Sequence, residues 1–219
     1  MIKVVSALAV LISVFLSSFN LEISIKPQEP PQEVKKIIPP PPKPMNSKLV
    51  SKLELLDNID KPFQEHIENV LLKNKYSCLG KSREAYASEI TAALLRHCDG
   101  NLDLATWIAS MAYVESSFRI TADPKVSTAR GLLQVIYHYH KWDLSKLGIT
   151  REDLYTSPSQ SIKAGIVVFK KYLKAEKGDY VKATRRYRGL SATEKQQRAY
   201  LNGIRRKRKE LLNIIQQYA

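Results

Sequence analysis

Glu115 stands where a helical pattern asks for a core side chain. Ile108, Met111 and Ala112 mark one apolar face of a helix beginning near Asp103, and residue 115 is the next step along it. A carboxyl in that place costs free energy unless it is paired or protonated. Three readings follow: a structural ion pair, a helix end that faces water, or a catalytic acid in a cleft. Asp123 is the nearest other carboxylate that could share acid–base work. Tyr137-His138-Tyr139-His140 could form a wall of rings for a ligand to stack on, or serve as core and rim packing. His138 and His140 are two apart, so on a helix they point about 200° apart and cannot share a metal. Cys78 and Cys98 would have to bridge a helix over 83–97 whose ends lie about 21 Å apart. A disulfide needs about 4.4–6.8 Å between Cα atoms, so only a returning loop would permit it.

The elements that must position these groups read as helices. Leu49, Leu53 and Leu56 recur at helical spacing, as do Phe63, Ile67, Val70 and Leu71. Tyr86, Ile90, Ala93-Leu94 and His97 continue the pattern until Asp99-Gly100 stops it. Trp107, Ile108, Met111 and Ala112 form the face that carries Glu115, and residues 129–140, 157–176 and 191–217 read as further helices. No stretch alternates with period two between hairpin turns. The expectation is an all-α domain over residues 47–219.

Ahead of it lie two segments of different composition. Met1-Ile2-Lys3 is followed by sixteen uncharged residues, Val4 to Phe19. A short basic start and an apolar run make residues 1–22 a signal peptide or a membrane anchor. The run is slightly shorter than the roughly 20 residues of a full span, and no clear cleavage site decides between the two. Residues 23–46 form a linker in which positions 27–44 hold eight of the chain's eleven prolines. Proline lacks an amide donor and fixes φ, so this stretch should be an extended spacer reaching about 55 Å. The expected location is outside the cytoplasm, in the periplasm or cell envelope, cleaved or anchored at the inner membrane.

Across all 219 residues, 35 Lys and Arg against 21 Asp and Glu give a net charge of +14. Such an excess favours an anionic partner. Residues 185–209 concentrate it, with ten Lys or Arg against the single acid Glu194. A solvated face, or attraction to an anionic wall polymer or membrane phosphates, accounts for it. The export signal argues against nucleic acid, which is not expected as a partner.

The order Glu115-Ser116-Ser117-Phe118, then Gly131-Leu132-Leu133-Gln134, then a helix with Ala164-Gly165, then Ala183 to Gly189 resembles the soluble-type lytic transglycosylases. These are relatives of goose-type lysozyme, and the resemblance spans roughly residues 103–203. It implies a lysozyme-like helical domain acting on peptidoglycan glycan strands without metal or cofactor. By that resemblance Glu115 matches the catalytic glutamate and Ser116 the serine after it. Gln134 matches the glutamine lining the substrate groove, and Tyr187 the tyrosine that approaches the acid. Tyr137 joins them as a candidate for substrate binding. Leu133 replaces the usual methionine at similar volume. Arg188 replaces the asparagine that follows the tyrosine, so a polar contact there is lost or remade.

The resemblance also implies the chemistry. Ordinary glycosidases employ two carboxylates. Here a single glutamate would protonate the bond between N-acetylmuramic acid and N-acetylglucosamine. The muramic C6 hydroxyl would then attack C1, giving a 1,6-anhydro product. A hydrolytic muramidase of the same fold and an inactive wall-binding module are the alternatives.

Overall fold

The computed structural model describes residues 59–74, 78–123, 127–189 and 191–218. The signal or anchor read in residues 1–22, the linker in 23–46, and Leu49, Leu53 and Leu56 lie outside the described residues. Among these, helices α1 (Asp60–Asn74), α2 (Arg83–His97), α3 (Leu102–Ser116), α4 (Tyr137–Ser145), α5 (Asp153–Thr156), α6 (Pro158–Ala175), α7 (Tyr180–Arg188) and α8 (Glu194–Gln217) carry the fold. The only β-type pairing described is the isolated bridge Arg130–Val135. The all-α expectation holds for these residues. None of the described helices is long and apolar enough to cross a membrane.

Local chemistry sets the helix starts. Ser82, Asn101 and Asp179 each accept a backbone N–H from the first turn of α2, α3 and α7. Ser157 does the same for α6, with Pro158 at the first helical position. Thr193 and Gln196 close a reciprocal capping box at the start of α8. Asp99 and Gly100 both take positive φ, 55° and 68°, and end the α2 segment as their types suggest.

Helix α3 lies at the centre. The sequence shows one apolar stripe, but every residue from Leu104 to Ala112 is buried. A helix enclosed on all sides needs neighbours on all sides. α8 packs along it, α2 touches it, and α1 in turn packs on α2 and α8. Ile108 and Met111 expose no surface, so truncating either to alanine would cost about 2–5 kcal/mol. Its buried hydroxyls are satisfied locally, Thr106 donating to Asp103 O and Ser110 to Thr106 O.

The expected helix over 129–140 is corrected. Residues 129–136 form a tight loop, and α4 starts only at Tyr137. The reason is backbone sign: Gly131 and Gln134 sit at φ 80° and 49°, which an α-helix cannot contain. Cys78 and Cys98 are buried thiols, and burial pushes the Cys98 thiol up to about 12.

Candidate active site

Glu115 lies in the last turn of α3, and the chain turns sharply just beyond it. Ser117 and Phe118 both occupy the left-handed region, φ 53° and 59°. Non-glycine residues held there cost roughly 1–3 kcal/mol each, so the surroundings must hold them. Phe118 is fully buried, and the Tyr86 hydroxyl donates to its carbonyl at 3.0 Å while accepting Ile120 N–H at 3.3 Å. Ser116 is buried too, its hydroxyl directed at Leu132 O (2.8 Å) and Ala112 O (3.0 Å). It ties the end of α3 to the following loop.

That loop forms the second wall. Leu132 N–H donates to Ser161 Oγ at 2.9 Å, and the bridge between Arg130 and Val135 closes the turn. A Cβ on Gly131 would strike Leu154 O and Ser161 Oγ, so only glycine fits. Gln134 is fixed by its own side chain, Nε2 donating to Gly131 O (2.9 Å) and Ala122 O (3.1 Å). Leu133 docks on Gly165 of α6, where any side chain would collide with it.

α7 and α8 supply the third wall. Trp107 of α3 donates its indole N–H to Thr184 at 3.0 Å, which seats α7. Tyr187 then donates its hydroxyl to Leu133 O at 2.7 Å. Between the walls lies a cleft of about 270 Å³ lined by Glu115, Gln134, Tyr139, His140, Tyr172, Arg186, Tyr187 and Arg188, among others. Glu115 is the one carboxyl among its described lining residues.

Tyr200 of α8 donates its hydroxyl to Glu115 Oε1 at 2.5 Å. The Arg188 guanidinium lies over the Tyr200 ring at 5.2 Å from its centroid. Burial pushes the Glu115 carboxyl above its ordinary range, and the Tyr200 hydrogen bond and the Arg188 charge oppose that rise without reversing it. Tyr187 and Tyr200 are both held well above the usual phenol range, by burial first and then by the neighbouring Glu115 charge. They stay neutral donors. The arrangement is an acid with a raised pKa, in a cleft, with one oxygen already occupied.

Of the residues singled out from sequence, Glu115, Gln134 and Tyr187 meet in this cleft. Ser116 lies behind it, buried at the joint of α3 and the loop. Tyr137 is directed elsewhere: its hydroxyl donates to Ile149 O at 3.1 Å, and it lines a separate recess with Thr128, His138 and Arg151. Its neighbours Tyr139 and His140 line the cleft instead, Tyr139 from its exposed rim. Asp123 pairs with Arg130 at 2.8 Å and lines a different recess. Tyr200 was missed. Its signal was available, since it precedes Leu201 and Ile204 on the buried stripe of α8, but nothing local ties it to a residue 85 positions earlier.

The family description that matches residues 99–213 is the Transglycosylase SLT domain. The match takes in 115 of the 219 residues, from just after α2 through most of α8, and the chain belongs to that family. Its helical architecture agrees with the lysozyme-like domain of soluble lytic transglycosylases, which act on peptidoglycan. No curated protein and no solved structure matches the chain.

Proposed function

We propose that this protein is a peptidoglycan lytic transglycosylase that cleaves the β-1,4 bond between N-acetylmuramic acid and N-acetylglucosamine, with Glu115 as its single acid and base. The observation that carries the reading is the single carboxyl among the described residues that line the cleft, held above its ordinary pKa by burial. Tyr200 occupies Oε1, so the proton to be donated belongs on Oε2. Donation to the leaving sugar's O4 breaks the bond to C1 of the muramic residue and leaves Glu115 ionised. The C6 hydroxyl of the same sugar then attacks C1 and returns its proton to Glu115. No water is consumed, and the enzyme ends as it began.

A second carboxylate is unnecessary on this route, because the substrate supplies the nucleophile. Asp123 is bound to Arg130 outside the cleft, which supports the one-acid scheme over the two-carboxylate one. Gln134 and Tyr187 would hold the sugars against the wall, and Tyr139 and His140 would offer ring faces to them. The N-terminal residues 1–22 would carry the protein out of the cytoplasm, with the spacer of residues 23–46 holding the catalytic unit off the membrane.

Mass spectrometry of fragments released from purified sacculi by the full-length protein tests this. The expected products end in 1,6-anhydromuramic acid. Products heavier by one water would make it a hydrolytic muramidase, and binding without release would make it a wall-binding module.

A further inference from the structure

Two arginines line the cleft, and they are not equivalent. Arg186 is committed: it donates to Glu176 at 3.0 Å and lies over Tyr172. Arg188 makes no hydrogen bond and no ion pair among the described residues. What holds it is the face of Tyr200, beneath its guanidinium at 5.2 Å. Stacking of this kind leaves the N–H groups on the guanidinium edge free to donate. The resemblance puts asparagine at this position, so the charge departs from the pattern that the neighbouring residues follow.

Arg188 is exposed, and among the described residues no carboxylate meets its guanidinium edge. The single carboxyl among the described residues that line the cleft is Glu115, which already takes the Tyr200 hydroxyl and must hold a proton to act. An acceptor can arrive with the substrate. If the substrate is the glycan proposed above, on which this inference rests, it carries carboxylates near the scissile bond. The lactyl ether on C3 of the muramic ring ends in one when its peptide has been removed, and the stem peptide bears others. A planar guanidinium edge matches a carboxylate in two parallel hydrogen bonds.

We propose that Arg188 is an anion subsite that binds a carboxylate carried by the glycan strand, placed one tyrosine ring away from the acid. The subsite selects charged muramic strands over neutral amino-sugar polymers of the same backbone. It also pre-sets the orientation of the muramic residue, since the lactyl group and C1 belong to the same ring.

The test is calorimetric binding to full-length Glu115→Gln protein, with and without Arg188→Asn. In that background no bond is cleaved and no charge at residue 115 complicates the comparison. The probes are glycan strands stripped of peptide, strands that keep their peptides, and neutral N-acetylglucosamine oligomers of matched length. Arg188→Asn should weaken stripped strands about tenfold at low salt, as loss of a charge-assisted pair commonly does. Neutral oligomers should change less than about twofold, and Arg188→Lys should restore part of the loss. A loss confined to stripped strands assigns the carboxylate to the lactyl group, a loss confined to peptide-bearing strands assigns it to the stem peptide, and a comparable loss with both means that either carboxylate fills the subsite. Equal weakening of neutral and charged ligands, or no weakening of either, overturns the subsite. Failure of the Arg188-containing protein to bind any of the three overturns the glycan reading itself, which separates the two failures.

Discussion

Tyr200 and Glu115 share a hydrogen bond of 2.5 Å between side chains 85 residues apart, joining the end of the central helix to the last one. The bond sets two things together. It fixes which carboxylate oxygen is free, and it restrains how far burial can raise the acid's pKa. A hydroxyl that donates to the ionised form favours that form.

Replacing Tyr200 by phenylalanine should therefore shift the acid upward. With the donor gone, burial acts against less opposition, and the alkaline limb of kcat/KM, which reports the free enzyme, should move up by about 1 pH unit. The rate at the optimum should fall as well, since the carboxyl loses an anchor. A pH–rate profile with an unmoved alkaline limb would separate Tyr200 from the chemistry.

Glu115→Gln should remove activity and add stability. Loss of acid–base chemistry is commonly worth about 10²–10⁴-fold, and here one group would serve both steps. The folded carboxyl titrates above its unfolded value of about 4.3. Its stabilising contribution is thus fully present below the unfolded pKa and is lost as pH rises through the folded one. Above the folded pKa wild type holds a part-buried carboxylate and the glutamine variant does not. The variant should melt higher there, with the gap closing as pH falls below the unfolded carboxyl pKa. Near-normal turnover by this variant would sink the catalytic assignment.

The sequence singled out Glu115 because its type broke the apolar pattern of α3, and it was the family resemblance that implied a catalytic role for it and put Gln134 and Tyr187 beside it. The helix limits over 83–97, 157–176 and 191–217 came within three residues at either end, since caps and apolar periodicity are local. What stayed hidden was set by tertiary geometry. Residues 129–136 contain enough apolar side chains to mimic a helix, and only the positive φ at Gly131 and Gln134 breaks it. Tyr137 and Tyr139 are equally aromatic, but Tyr137 is held by Ile149 O while Tyr139 lines the cleft. Ser116 sits beside the acid in the chain yet turns into the core, because Leu132 O is there to accept from it.

Gly165 and Gly203 are both helical glycines, and their alanine variants should diverge. A Cβ at Gly165 would come within 2.6 Å of Leu133 Cβ, in a wall that cannot recede without moving the carbonyl that Tyr187 holds. Gly165→Ala should cost about 1–3 kcal/mol and lower kcat/KM. A Cβ at Gly203 meets Val114 Cγ2 at 3.4 Å, near ordinary contact. There the gain in helix propensity should prevail, raising stability by up to about 1 kcal/mol. Chemical denaturation of both variants checks the contrast, and equal effects would contradict it.

The basic residues of α8 divide by what they touch. Arg208 pairs with Asp103, donates to Thr106 at 3.1 Å and lies over Trp107, so it fastens α8 to α3. Arg205 and Arg206 are exposed and have no such partners. Arg208→Ala should lower stability by about 1–2 kcal/mol through lost packing and hydrogen bonding. The double change Arg205→Gln and Arg206→Gln should leave the melting temperature in place and weaken sedimentation with anionic wall material at low salt. Wall binding that is unchanged at low salt would reduce those charges to solubility.

The distance along the chain between Glu115 and Tyr200 has a consequence for when the molecule becomes dangerous. An enzyme that opens a cell wall is hazardous to its maker during production. At about 5–20 residues per second, a ribosome that has added Glu115 needs roughly 4–17 s more to add Tyr200. Until then the acid has no partner on Oε1, and α3 has no α8 to enclose it. On the function proposed above, an unfinished or prematurely ended chain lacks the α8 wall beside its acid, and completion of the polypeptide would itself be the safety catch.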